Sequence, residues 1–120
     1  MPPKKILIAD DEEDIRHLVR QALQHDYEII EAVDGVDAFT KVIEEKPDLV
    51  MLDIMMPRQD GYKTCMKIKS GAETRNIPVI MLTGVDYELN RKLGEQLGAA
   101  DYITKPFAIE TLVKAVKKLI

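Results

Sequence analysis

Asp48-Leu-Val-Met-Leu-Asp53-Ile-Met-Met-Pro57 decides the reading of this chain. The apolar run from Leu49 to Leu52 has the length and character of a strand buried on both faces, and it leads straight into Asp53. Three more large apolar residues follow before Pro57 ends the segment. A carboxylate flanked in this way loses water and needs its charge compensated. Taken alone, Asp53 is an aspartate at a strand end that caps the next loop. What stands at the ends of the other strands changes that reading.

Upstream, Lys5-Ile-Leu-Ile-Ala9 is a second buried run, and it ends in the acidic cluster Asp10-Asp11-Glu12-Glu13-Asp14. Ile15, Leu18, Val19, Ala22 and Leu23 then repeat with helical spacing, and acids in a first turn suit the helix dipole. That accounts for Glu12, Glu13 and Asp14 but does not require the pair Asp10-Asp11. Tyr27 to Ala32 reads as a more exposed strand at a sheet edge. Asp34-Gly35 is turn chemistry, and Ala38, Phe39, Val42 and Ile43 mark a helix ending before Lys46-Pro47.

Downstream, Arg58 to Gly61 is a loop, and a helix follows with Tyr62, Cys65, Met66 and Ile68 inward, ending at Ser70-Gly71. Ile77 to Leu82 is a strand with Pro78 near its start, followed by Thr83-Gly84. Leu89, Leu93 and Leu97 outline a helix weakened by Gly94 and capped by Gly98. Ala100 to Thr104 is the last strand, then Lys105-Pro106 and a final helix from Phe107 with Ile109, Leu112, Val113 and Val116 inward. Five strands alternate with five helices through short connections, which describes a single (βα)5 domain over residues 1–120 with a doubly wound parallel sheet. Right-handed crossovers place helices on both faces.

In such sheets, sites form outside the carboxyl ends of the strands. Asp10 and Asp11 follow the first strand, Asp53 ends the third, Thr83 follows the fourth and Lys105 the fifth. All can share one crevice. Three carboxylates together cannot stay ionised without a cation. A hard divalent ion with oxygen ligands, assisted by Lys105, supplies it. Mg²⁺ fits best because it takes few carboxylates and keeps open positions for a phosphoryl oxygen, with Mn²⁺ as the alternative ion.

Composition narrows the classes. The chain has 120 residues, 46% hydrophobic and 32% charged, enough for a packed core. A net charge of -4 argues against nucleic-acid or anionic-membrane partners, and the 5% aromatic content argues against a base-stacking platform. Cys65 is the one cysteine, so no internal disulfide forms and a packed thiol in a reducing compartment is expected. Apolar runs are far too short to span a membrane, and no signal peptide precedes the first strand. The expected location is the cytoplasm.

These marks resemble the receiver domain of two-component response regulators, including chemotaxis regulators, over essentially the whole chain. They are Asp10-Asp11, Leu52-Asp53-Ile-Met-Met-Pro57 with Asp60-Gly61, Thr83, Asp101-Tyr102 and Lys105-Pro106-Phe107. The resemblance implies a flavodoxin-like sheet of strand order 2-1-3-4-5. It implies that Asp53 is the phosphoacceptor, taking a phosphoryl group from the phosphohistidine of a sensor kinase or phosphotransfer protein. Asp10, Asp11, Asp53 and the backbone carbonyl of Met55 then hold Mg²⁺, Asp10 partly through water. Lys105 pairs with Asp53 at rest and with a phosphoryl oxygen afterwards. Thr83 and the Gly84 N–H bind the phosphoryl group, and Thr83 and Tyr102 form a switch that remodels the face of the fourth helix, fifth strand and fifth helix for a target protein or output domain. The bond before Pro106 is expected to be cis. Such a domain is not a general enzyme, since it catalyses only its own phosphorylation and dephosphorylation.

Three departures stand out. Gly84 replaces a common alanine, which loosens its loop. Ala100 replaces an acid found in regulators that dimerise, which leaves the state between monomer and weak phosphorylation-dependent dimer. Gln59 replaces a common methionine, with no consequence legible in the sequence. Ile15, Leu18 and Phe107 are the expected docking patch for the histidine donor. Met55 and Val85 offer nothing to orient an attacking water, so self-dephosphorylation is expected to be slow. The helical finish without a linker favours a stand-alone receiver over a piece of a longer regulator.

Three rivals fit less well. An aspartyl-phosphate phosphatase wants a second aspartate two residues after a nucleophile on the first strand, where this chain has Glu12. A flavin or nucleotide module wants a Gly-rich phosphate loop where this chain has acids. A degenerate receiver serving only as an interaction module would not need Asp11, Asp53, Thr83 and Lys105 together. His17 and His25 lack partners at catalytic spacing.

Overall fold

The structure is a computed structural model and describes residues 2–56, 58–84, 92 and 95–120. The elements run β1 (Lys5–Ala9), α1 (Glu13–Leu23), β2 (Glu28–Ala32), α2 (Gly35–Glu45), β3 (Leu49–Asp53), α3 (Gly61–Ser70), β4 (Val79–Thr83), β5 (Asp101–Thr104) and α4 (Ile109–Leu119). Leu89, Leu93 and Gly94, which carry most of the helix expected before β5, lie outside the described residues, as do Pro57 and Val85. The strands form one parallel sheet in the order β2-β1-β3-β4-β5, the flavodoxin-like order the resemblance implied. The winding reverses between β1 and β3, so the crevice opens beside Asp10 and Asp53.

Strand alternation divides the core into two layers. Ile6, Ile8, Leu49, Met51, Ile80, Leu82 and Ile103 face α1 and α4, meeting Val19, Leu23, Leu112 and Val116. Leu7, Ala9, Val50, Leu52, Val79 and Met81 face α2 and α3, meeting Ala38, Val42, Cys65 and Ile68. Both faces are covered, which is why the inner strands read as unbroken apolar runs. Each fully buried Leu, Ile or Met contributes about 1.5–3 kcal/mol. The same period of two (Asp53 in step with Met51, Thr83 with Met81) aims Asp53 to the α1/α4 side and Thr83 to the α2/α3 side.

Local signals explain the boundaries. Asp34 is the N-cap of α2 and accepts from the Asp37 N–H at 2.8 Å, so Asp34-Gly35 is a helix start and not only a turn. Asp60 caps α3 in the same way through the Lys63 N–H. Lys46 closes α2 in the left-handed conformation, φ 50°, just before Pro47. β4 begins at Val79, later than Ile77, and the Pro78 carbonyl still accepts from the Val50 N–H.

Some expected inward residues face out. Met66 is exposed because the buried stripe of α3 runs through Gly61, Thr64, Cys65 and Ile68, which leaves its neighbour on the flank. Ile43 is likewise exposed beside buried Val42, and Ile109 in the first turn of α4, which starts two residues later than expected.

Candidate functional site

Asp10 sits one residue past β1, and its N–H donates to the Ala32 carbonyl, continuing the ladder by one rung. Its side chain is fully buried. Oδ1 accepts from the Glu12 N–H at 2.9 Å and Oδ2 from Lys105 Nζ at 2.7 Å. Asp53 is 5% exposed at the end of β3, and its Oδ1 accepts from the Met55 N–H at 3.3 Å. Lys105 Nζ lies 3.5 Å from Asp53 Oδ1 and 3.7 Å from Glu12 Oε1. The expected resting pair of Lys105 with Asp53 is therefore secondary. Asp10 has no solvent at all and takes the short hydrogen-bonded contact, while Asp53 keeps a longer one.

Asp11 and Glu12 are exposed, and carboxylate oxygens of Asp10, Asp11 and Glu12 lie within 4.8 Å of one another. An open cleft of about 440 Å³ is lined by Asp11, Glu12, Asp53, Met55, Gly84 and Lys105. Among the described residues, the Lys105 ammonium thus has three carboxylates within 4 Å, those of Asp10, Asp53 and Glu12, with Asp11 in the same acidic cluster. The Asp53 carboxyl is pushed up to about 6 by burial first and by the charge of Asp10 second, with Lys105 and the Met55 N–H opposing. Burial works against the charge on Lys105, but Asp10, Asp53 and Glu12 together hold its pKa above the ordinary lysine value. A site with surplus negative charge beside a solvent cleft is chemically suited to a divalent cation and then to an anionic group.

Glu12 is the site residue that the sequence hid, because an acid in a first turn is explained by the helix dipole alone. Arg16 is another. Its Nη1 donates to the Asp10 carbonyl at 2.8 Å while its Nε donates to Glu31, which Arg20 also holds. Burial raises the pKa of Glu31, but the two guanidinium groups outweigh it and keep the carboxyl below its usual range. No local pattern marks a residue that acts across fifteen positions of chain.

On the opposite side of the sheet, Thr83 is buried and Tyr102 packs on the core layer of Met81 and Cys65 with its hydroxyl oxygen inside. Register pairs Thr83 with Thr104 and Met81 with Tyr102, so Thr83 and Tyr102 are diagonal neighbours on one face. Gly84 is exposed. A β-carbon there would come no nearer than 3.8 Å to Lys105 Cβ, so the site has room for alanine and glycine is not sterically required. The Lys105–Pro106 bond is cis. Ile15, Leu18 and Phe107 are each half-buried, Ile15 and Phe107 packed on the α1/α4 core layer. Cys65 is buried, and burial pushes its thiol up to about 11, an inert packed thiol.

The family model for the response regulator receiver domain matches residues 6–117. The chain belongs to that family. Solved receivers resemble it closely. Chemotaxis protein CheY4 of Vibrio cholerae is 29% identical, with 98% of this chain and 99% of that one covered and a TM-score of 0.92. The receiver domain of a signal transduction histidine kinase from Syntrophus aciditrophicus is 32% identical, covering 97% and 89%, with a TM-score of 0.89. The receiver domain of a sensor histidine kinase from Pseudomonas aeruginosa PAO1, solved with magnesium coordinated in its active-site cleft, is 24% identical over 98% and 97%, TM-score 0.89. Receiver domains of this kind thus occur both as a chemotaxis protein and as part of histidine kinases. Among the described residues, no helix is long and apolar enough to cross a membrane.

Proposed function

We propose that this receiver domain accepts a phosphoryl group on Asp53 from a phosphohistidine donor, with Mg²⁺ assisting, and that the modification is read by a downstream target protein or output domain. The observation that carries the reading is the placement of Asp53 in the cleft, 3.5 Å from Lys105, opposite the Asp10, Asp11 and Glu12 carboxylates. Asp53 and Lys105 alone would suit a structural ion pair. The surplus of carboxylates would not.

The residues present fit Mg²⁺ by donor chemistry: carboxylate oxygens of Asp10, Asp11 and Glu12 cluster together, and Asp53 shares an open cleft with Asp11 and Glu12. Asp11, Asp53 and the Met55 carbonyl would hold it, with Asp10 partly through water and Glu12 as an additional acid. When bound, the ion neutralises charge on Asp53 and on the equatorial phosphoryl oxygens. The chain's own residues do the rest. Asp53 presents one oxygen to the cleft, and a P–O bond to it forms as the P–N bond to the donor imidazole breaks. Lys105, a compact charge on a flexible stem, turns from Asp10 and Asp53 towards a phosphoryl oxygen. The Gly84 N–H donates to another, and the Thr83 hydroxyl, which at rest lies off the cleft lining on the α2/α3 side, swings towards the third, a move that alters the packing against Tyr102. This activity is confined to the chain's own modification, in the cytoplasm where kinases and targets meet.

Acetyl phosphate with Mg²⁺ tests the reading without any partner. The intact chain gains the mass of one phosphoryl group and Asp53→Asn does not. No gain in either leaves the interaction-module reading in its place.

A further inference from the structure

We propose that Gln59 and Arg58 are positioning residues of the phosphoryl site, clamping the β3–α3 loop to the start of α2 so that Met55 presents its carbonyl to the cleft. Gln59 is the departure that the sequence could not explain, and it is 5% exposed. Its Nε2 donates to the Gly35 carbonyl and to Thr64 Oγ1, both at 3.0 Å. Its own carbonyl oxygen lies so close to α2 that a β-carbon on Gly35 would stand 1.9 Å from it, so only glycine permits this approach. Arg58 adopts the left-handed conformation, φ 66°, which a residue with a β-carbon holds only when its surroundings demand it. What it gains is Asp34: Nε at 2.7 Å and Nη2 at 2.6 Å from Oδ2. The Asp34 side chain is 8% exposed, and its Oδ1 meanwhile caps α2 through the Asp37 N–H.

Both contacts converge on the loop that leaves Asp53. Ile54 and Met56 are buried, and Gly61, whose N–H donates to the Ile54 carbonyl, backs so closely on the Asp53 carbonyl that a β-carbon would meet it at 2.4 Å. Met55 between them is 68% exposed. With its side chain that exposed, the position of its carbonyl follows from the bond of its own N–H to Asp53 Oδ1 and from its neighbours in the loop. Residues that orient a ligand without touching the ion commonly change affinity tenfold or more when lost. The inference rests on the phosphoacceptor reading, since it concerns the same cleft.

The test compares the parent with Gln59→Met, which keeps the volume and removes the amide, with Arg58→Ala, and with Arg58→Lys, which restores a cation opposite Asp34. Mg²⁺ alone is titrated by calorimetry, and acetyl phosphate labelling is timed at saturating Mg²⁺. All runs are made well below each variant's melting midpoint, and amide exchange at residues 54–56 is followed in metal-free buffer. Gln59→Met and Arg58→Ala are expected to weaken Mg²⁺ binding about tenfold and to speed exchange, with partial recovery in Arg58→Lys. A lower melting point with Mg²⁺ affinity within about twofold of the parent overturns the proposal and makes the clamp purely structural. A parent that binds no Mg²⁺ and takes no phosphoryl group overturns the phosphoacceptor reading, and this inference with it.

Discussion

Asp53→Asn is expected to make the metal-free domain more stable at neutral pH. The Asp53 carboxyl has an ordinary value of 3.8 and stands at about 6 in the folded chain, raised by burial and then by Asp10. Between those two values the folded state holds a proton that the unfolded state has released. Stability therefore falls as pH rises through the window, and above about 6 the whole penalty is present. It amounts to roughly 3 kcal/mol at 1.36 kcal/mol per unit of pKa. Asparagine keeps the shape and carries no charge, so most of that penalty disappears. At about 4 °C per kcal/mol for a domain of this size, the melting midpoint should rise by roughly 8–12 °C. The assay is thermal unfolding followed by circular dichroism in buffer with a chelator, at pH 7.5 and again near pH 4. The gain should be large at the first and small at the second, and Mg²⁺ should close the gap at pH 7.5 by stabilising only the parent. A variant that melts at or below the parent at pH 7.5, with no pH dependence, would refute the electrostatic account of the site.

Other consequences reach different parts of the molecule. Glu12→Gln removes an exposed acid from the cluster and should weaken Mg²⁺ binding by about twofold to fivefold, a screened surface effect readable by calorimetry; unchanged affinity would return Glu12 to the helix dipole alone. Phosphorylated chain freed of donor should lose its label slowly, because exposed Met55 has no group to orient water; a half-life of seconds without a phosphatase would contradict this. Ile15→Ala should slow transfer from a phosphohistidine protein while leaving acetyl phosphate labelling intact, since Ile15 lies half-buried on the α1 face and outside the cleft. Equal rates from both donors would remove it from the docking patch.

Much of this fold was legible because parallel strands buried on both faces leave an unmistakable record. Leu49 to Leu52 and Ile6 to Ala9 have no polar interruption, and the polar residues that matter stand one step past the ends. What sequence could not supply was contact across long separations. The short bond from Lys105 to Asp10 spans 95 positions, and the Arg58–Asp34 pair spans 24. Helical spacing also blurs the edges of a buried stripe, which is why Met66, Ile43 and Ile109 were expected inside. Gln59 is the clearest case. Its amide reaches Thr64 five residues on, but also the Gly35 carbonyl 24 positions back, and nothing local hints at the second contact.

Phosphoryl transfer to this chain turns on a single carboxylate, so the decisive measurement locates the phosphoryl group by residue. Chain labelled with acetyl phosphate and Mg²⁺ is reduced with borohydride, which converts an acyl phosphate to an alcohol, and the peptides are sequenced by mass. Reduction is expected at Asp53 and nowhere else, abolished by omitting Mg²⁺. Reduction at Asp10 or Asp11, or none at all with Mg²⁺ present, would contradict it.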